Sequence, residues 1–324
     1  MDISCAFATS LETPQHIARA ESLGYKRAWC YDSPGLYPDV WMILAKAAEI
    51  TDRIALGPGV LVPSNRHVMT NAAAIATLEA LAPGRVVVAV GSGFTGRFVL
   101  GQKPVKWAAV RAYVEALRAL LRGEDVEWEG ATIRMIHPQG FVADRPVDVP
   151  LIIGAAGPVG TEVARAVGDG VFAAGATVTG FDWAAALTFG TVLEDGEDPG
   201  SERALQAAGP AVSVLFHFLY EHNRDALAAI PGGAEWAAMI ETLDPRTRHL
   251  AVHEDHLVAL TERDRPYVSG EALLALTTSG TREQVADKLR AMADSGVTEV
   301  AYQPAGADID RELTAFMDAA SLVS

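Results

Sequence analysis

Apolar positions fall into two kinds of run along this chain: short stretches that are apolar throughout, and longer stretches that repeat every three or four residues. The clearest example spans residues 53–93. Ile54 to Val62 is a short run rich in branched side chains, broken by Gly57, Pro58 and Gly59. Val68 to Leu81 sets Val68, Ala72, Ile75 and Leu78 on one helical face. Pro83-Gly84 stops that helix. Val86 to Val90 is apolar at every position, the pattern of a parallel strand buried on both faces, and it runs into Gly91-Ser92-Gly93.

The same alternation continues on either side. Ile3 to Thr9 reads as a strand, and Thr13-Pro14 opens a helix, with Thr as its cap, that Gly24 closes. Lys26 to Tyr31 is a second strand and Asp39 to Thr51 a helix. After the central block come a helix over Val105 to Leu121 and a small hairpin over Val126 to Met135 that turns at Glu129-Gly130. Val149 to Ala155 is strand five, followed by a helix from Ala156-Gly157-Pro158 through Val167, and Val171 to Ala174 is strand six. Phe181 to Leu193 reads as helical, Ala211 to Leu219 as strand seven, and residues from about 221 to 275 as a helical excursion. Thr281 and Gln284 make a capping-box pattern for a helix ended by Gly296. Val297 to Tyr302 is strand eight and Ile309 to Leu322 the last helix.

Eight strands alternating with helices predict an α/β fold, a (β/α)8 TIM barrel with a helical insertion between strands 7 and 8. The expected organisation is a single domain over residues 1–324. An open doubly wound sheet is the alternative, but no G-x-G-x-x-G follows the first strand. Half of the 324 residues are hydrophobic, enough for a large core. The net charge of −15 repels phosphate backbones and anionic lipid, so neither nucleic acid nor a membrane is an expected partner. A small-molecule substrate is expected instead, and a homodimer stays open. Cys5 and Cys30 fit no metal spacing and read as reduced core residues of a cytoplasmic protein. A signal peptide and a membrane-spanning stretch are not expected.

Chemistry is expected past the carboxyl ends of the strands. The most specific feature is Ala155-Ala156-Gly157-Pro158-Val159, where small residues lead into a helix start able to hold a phosphate; a tightly packed strand-to-helix turn fits equally well. Gly59-Val60 marks a bulge or the approach of a flat ligand. Ser92 and Gly93 expose backbone at a strand end; this is either a loop with Phe94 as a lid over the core or a ligand-facing backbone with Phe94 and Arg97 bordering a pocket. Asp32, followed by Ser33, is a turn former or a proton-transfer group. His249, His253 and His256 could share one helical face. They lack an H-E-x-x-H pattern and an evident fourth ligand, so no metal is assigned and an exposed or pocket-lining histidine face is expected. His67 is expected to anchor the loop after strand three.

These residues together resemble the bacterial luciferase-like superfamily of flavin- and deazaflavin-dependent oxidoreductases, and most closely its coenzyme F420 branch, which includes methylenetetrahydromethanopterin reductases. The resemblance is strongest in LGPGVLVPSNRHVMTNAAAIATLEALAPGRVVVAVGSG, VPLIIGAAGPVGTEVARAVGDGVFAAG and GTREQVADKLRAMADSGVTEVAYQP. It implies hydride transfer between F420 and a small organic substrate. Asp32 and Ser33 would act in catalysis. Asp32, Gly59, Val60, Ser92, Gly93, Ala155, Ala156, Gly157, Pro158 and Val159 would contact the cofactor, and Phe94, Arg97 and His253 the substrate. A cis peptide between Gly59 and Val60 is implied as well. Ser33 and Phe94 stand where the sugar-phosphate dehydrogenases of this branch carry a histidine and an acidic residue, which argues against glucose 6-phosphate. Val90-Gly91-Ser92-Gly93 disfavours FMN. A monooxygenase using reduced FMN and a non-catalytic flavin-binding barrel are the alternatives.

Overall fold

A computed structural model describes residues 1–175 and 177–323. Its strands are β1 (Asp2–Phe7), β2 (Arg27–Cys30), β3 (Ala55–Leu61), β4 (Val88–Gly91), β5 (Val126–Trp128), β6 (Ala131–Ile133), β7 (Leu151–Gly154), β8 (Val171–Ala174), β9 (Ala184–Phe189) and β10 (Glu299–Gln303). Eight of them close a barrel in the order β1-β10-β9-β8-β7-β4-β3-β2, and β5 with β6 forms a separate antiparallel hairpin. Neighbours pair in parallel register, as in Cys5 with Ala28, Trp29 with Gly57, and Gly91 with Gly154. The ring closes where the Asp2 amide donates to Thr298 O and the Thr298 amide donates to Ala184 O. This is the expected TIM barrel. Among the described residues no helix is long and apolar enough to cross a membrane.

The chain divides into two compact units. The first comprises Met1–Gly96, Lys103–Leu187 and Ser295–Ala301. Its core follows the sequence pattern: Val88, Ala89 and Val90 are buried along β4, and Val68, Ala72, Ile75 and Leu78 along one face of the Val68–Leu81 helix. Each Val, Ile or Leu side chain so buried contributes about 1.5–3 kcal/mol. Inside the barrel, Trp29 packs against Phe172 with ring centroids 5.2 Å apart. Cys5 and Cys30 are buried free thiols, and burial pushes both thiol pKa values up. At the amino ends of the strands Glu299, 1% exposed, accepts from Trp29 Nε1 at 2.9 Å, Trp183 Nε1 at 2.6 Å and Arg27 Nη1 at 3.1 Å.

Two expected elements are corrected. The region 181–193 contains strand β9, not a helix: Ala184, Ala185 and Ala186 are buried in the barrel wall, so sheet burial overrides the helix preference of alanine. Ala211 to Leu219 is not a strand. It belongs to a helix over Glu202–His222, capped by Ser201, whose Oγ accepts from the Ala204 amide. The helix runs through Gly209-Pro210, and Ala204, Ala208, Val212, Phe216 and Tyr220 are buried four residues apart along one helical stripe. Thr13 lies inside its helix, with Glu12 at the cap position. The capping box at Thr281 and Gln284 is formed.

The second unit comprises Arg97–Gln102, Thr188–Asp294 and Tyr302–Ser324. The helices Arg224–Ala228, Gly233–Glu241, Arg248–Val252 and Gly270–Leu276 make up the excursion that interrupts the chain between β9 and β10. Its core gathers Val212, Phe216, Leu227, Trp236, Ile240 and Leu273.

Candidate functional site

The carboxyl ends of β2, β3, β4 and β7 are consecutive around the barrel, and they carry most of the residues singled out above. In β3 the register shifts between Gly59 and Leu61, and the Gly59–Val60 peptide is cis. Trp29 explains Gly59: a side-chain carbon there would stand 3.2 Å from the indole. Val60 explains two more glycines. A carbon on Gly91 would stand 2.9 Å from Val60 Cγ2, and one on Gly154 would stand 2.5 Å from Val60 Cγ1. The Val60 side chain therefore fills the notch that paired Gly91 and Gly154 leave. Ser92-Gly93 and Ala155-Ala156 continue from those glycines, so the two loops start side by side. Gly93 has φ 74°, a left-handed conformation that favours glycine.

Beyond β7 the helix Pro158–Val167 begins at Gly157, which offers it no side-chain cap. Pro158 has no N–H, and the Val159 and Gly160 amides have no acceptor within the helix. The positive end of the helix dipole adds to their pull on an anion. Gly160 is small because Trp107 lies 2.4 Å from where its side chain would begin. Gly157 is different. Its φ of −96° and ψ of 165° suit any residue, and a side-chain carbon there would meet no described atom within 4 Å. Residues 156–159 are exposed. Internal packing does not require glycine at 157, whereas an anion resting on the helix start would.

Asp32 follows β2 and is 3% exposed. Arg66 Nη1 donates to both of its carboxylate oxygens at 2.7 Å, and Arg66 Nη2 reaches Asp39 Oδ2 at 2.6 Å. Asn65 Nδ2 donates to Asp32 O at 3.3 Å. Burial works against the Arg66 charge, but the hydrogen bonds and charges of Asp32 and Asp39 raise its pKa. Burial likewise opposes the Asp39 charge, and Arg66 outweighs it, so that carboxyl is lowered. Ser33 is half-buried beside Gly96, where an added carbon would stand 3.0 Å from Ser33 Oγ.

Residues 9–299 match the luciferase-like monooxygenase family, most of the chain. The chain belongs to that family. Among curated relatives it is 27% identical over 317 residues to a 5,10-methylenetetrahydromethanopterin reductase of Archaeoglobus fulgidus, covering 92% of this chain and 91% of the relative. It is 28% identical over 298 residues to an F420-dependent glucose-6-phosphate dehydrogenase of Nakamurella multipartita, covering 89% and 82%. Among solved structures, the coenzyme F420 dependent tetrahydromethanopterin reductase of Methanopyrus kandleri superposes with a TM-score of 0.69 at 20% identity, over 98% of each chain.

Other expected positions in this luciferase-like chain fall in different units. Phe94 follows Gly93 in the first unit, while Arg97 and His253 belong to the second. His67 caps the Val68–Leu81 helix, its Nδ1 accepting from the Met69 amide at 3.1 Å. The expected histidine face does not form: the helix carrying His249 ends at Val252, and His249 lies near Gly101. His253 and His256 are 1% and 4% exposed and meet His217, 1% exposed, from the Glu202–His222 helix. His253 lies beneath Phe98, their rings stacked 15° from parallel. Burial, and then the neighbouring His217 and His249, lower the His253 pKa to about 3. Burial also lowers His217 and His256.

Two groups escape the sequence reading. Arg66 sits in the loop after β3, and the adjacency of β2 and β3 is the signal that places it against Asp32. His217 is hidden by the misread strand; a helical reading of residues 202–222 would have turned it toward the buried stripe.

Proposed function

We propose that this chain is an F420-dependent oxidoreductase that transfers hydride between the deazaflavin and a small organic substrate. Gly157 is the observation that carries the reading: a glycine that internal packing does not require, at an uncapped, exposed helix start on the carboxyl side of the barrel. The F420-dependent relatives supply the choice of cofactor.

In this reading the Val159 and Gly160 amides hold the cofactor phosphate, with Ala155, Ala156 and Pro158 small or compact enough to admit it. The Gly59-Val60 backbone supports one face of the ring, and Ser92 and Gly93 border it. When bound, the cofactor supplies the hydride chemistry. Asp32, with both oxygens held by Arg66, is a positioning carboxylate that fixes the Asn65-Arg66 loop. Ser33 Oγ is the group able to exchange a proton with substrate. Phe94 is retained as a substrate contact. Buried His253 is released from that role.

Reduced F420 with small carbonyl and unsaturated compounds, and oxidised F420 with alcohols, test the reading in a spectrophotometer. Protein-dependent change in deazaflavin absorbance with at least one class is expected, and Gly157→Asp should abolish it. Oxygen-dependent turnover with reduced FMN alone would make the chain a monooxygenase. F420 binding without turnover of any compound would leave a binding barrel.

A further inference from the structure

The second unit holds a cluster that the hydride-transfer reading does not use. His217 comes from the long helix Glu202–His222, and His253 and His256 from the segment after Arg248–Val252. His256 Nδ1 lies 3.4 Å from His217 Nδ1 and 3.4 Å from His253 Nδ1. One ring nitrogen carries either one proton or one lone pair, directed in the ring plane, so it cannot serve two such neighbours along straight hydrogen bonds. The separation also exceeds the usual range for hydrogen bonds to nitrogen. It matches something else. Nitrogens bound to zinc at about 2.0–2.1 Å in a tetrahedron stand about 3.3–3.4 Å apart. One candidate ligand atom from each of the three histidines lies within 4.8 Å of the other two.

The surroundings orient the rings as metal ligands are oriented. Asp264 Oδ1 accepts from Trp236 Nε1 at 2.7 Å, and Asp264 Oδ2 faces His217 Nε2 at 3.6 Å. A proton on that Nε2 leaves the Nδ1 lone pair aimed at the cluster, the carboxylate–histidine–metal arrangement. Arg263 Nε, 3.3 Å from Asp264 Oδ1, offsets part of the carboxylate charge. His253 Nε2 is buried without a hydrogen-bond partner. Asp255 and Leu257, on either side of His256, have φ values of 50° and 60°, a conformation that non-glycine residues seldom adopt. The turn that presents His256 is pinned from β10, where Gln303 Nε2 donates to Leu257 O at 2.8 Å.

We propose that His217, His253 and His256 bind a divalent transition-metal ion of the zinc class through ring nitrogens, leaving a fourth position for water. The ion ties the long helix to the 253–264 segment, and its role is to hold the second unit together. The site is independent of any cofactor bound by the barrel.

The test uses the full chain, stripped with a chelator and dialysed against zinc in the presence of a moderate competing chelator. One zinc per chain by elemental analysis is expected, with a rise in unfolding temperature on zinc addition. Cobalt(II) should bind with the same stoichiometry and show the visible ligand-field absorption of a nitrogen-rich, low-coordinate site. His256→Gln and His253→Gln should each lose the bound zinc and its thermal effect, His249→Gln should keep both, and Asp264→Asn should weaken binding about 10–100-fold. Equal zinc retention by wild type and His256→Gln would overturn the proposal, as would cobalt binding without ligand-field absorption. If the histidine variants fail to fold, the cobalt spectrum and stoichiometry of the wild-type chain decide alone.

Discussion

At the amino ends of the barrel strands, Glu299 takes hydrogen bonds from two indoles and a guanidinium, and Arg27 reaches on to Asp2 at 2.8 Å. Toward the carboxyl ends the same wall carries glycines: Gly59 within β3, Gly91 at the end of β4, Gly154 at the end of β7, then Gly157 beyond. The first end is complete in itself, since donors and acceptor are supplied by the chain and the indoles close the interior. The second is complete only as far as Gly154, where Val60 fills the space its neighbours leave. At Gly157 an added side-chain carbon would meet no described atom within 4 Å. Internal packing accounts for one end; the last step of the other is where the proposed cofactor phosphate would rest, in keeping with barrels whose chemistry lies at the carboxyl face.

The largest expected effect belongs to the amino end. Glu299→Ala removes the acceptor from the buried Trp29 indole and the half-buried Trp183 indole and leaves Arg27 without its buried partner. It should cost about 3–5 kcal/mol in urea unfolding, while the fraction that folds binds cofactor as before. A loss of cofactor affinity larger than the loss of stability would break the division between the ends.

Gly154→Ala comes next. The added methyl meets Val60 Cγ1 and should cost about 1–3 kcal/mol. Val60→Ala in the same chain should recover part of that cost, and the coupling in a double-mutant cycle measures how far the notch is filled by Val60. Additive effects would mean that Gly154 is small for another reason.

The smallest stability effect belongs to Gly157→Asp. The backbone there suits any residue, the surroundings are open, and a carboxylate at a helix cap accepts from the first-turn amides. Stability should change by less than about 0.5 kcal/mol, toward stabilisation if at all. Thermal unfolding of the cofactor-free chain checks this, and a marked destabilisation would return Gly157 to the class of packing glycines.

That sorting of glycines shows what the sequence can carry. The strands from β1 to β8, the Val68–Leu81 helix and the Glu129-Gly130 hairpin turn follow from periodicity and turn chemistry, which are local. The cis peptide at Gly59-Val60 was legible only through family resemblance. β9 was missed because its alanines are small to suit the barrel wall, a requirement set by residues far away in the chain. The long helix was missed because Ala211 to Leu219 reads locally as an apolar strand, while the stripe of side chains four residues apart that marks it as a helix shows only in what the rest of the chain buries. In the candidate site, the glycine loops announced themselves, but which of those glycines packing explains depends on Val60, Trp29 and Trp107, each from another element. Arg66 and His217 were lost for the same reason: their partners, Asp32 and the pair His253 and His256, lie more than thirty residues away.

Titration of oxidised F420 and of FMN into the cofactor-free wild-type and Gly157→Asp proteins, at matched ionic strength, tests the central claim most directly. The account predicts that F420 binds the wild type more tightly than FMN does. It also predicts that Gly157→Asp weakens F420 at least about tenfold, because the new carboxylate repels the phosphate and takes the amides that would hold it. Equal F420 affinity in a folded Gly157→Asp protein, or FMN binding the wild type at least as tightly as F420, would contradict it.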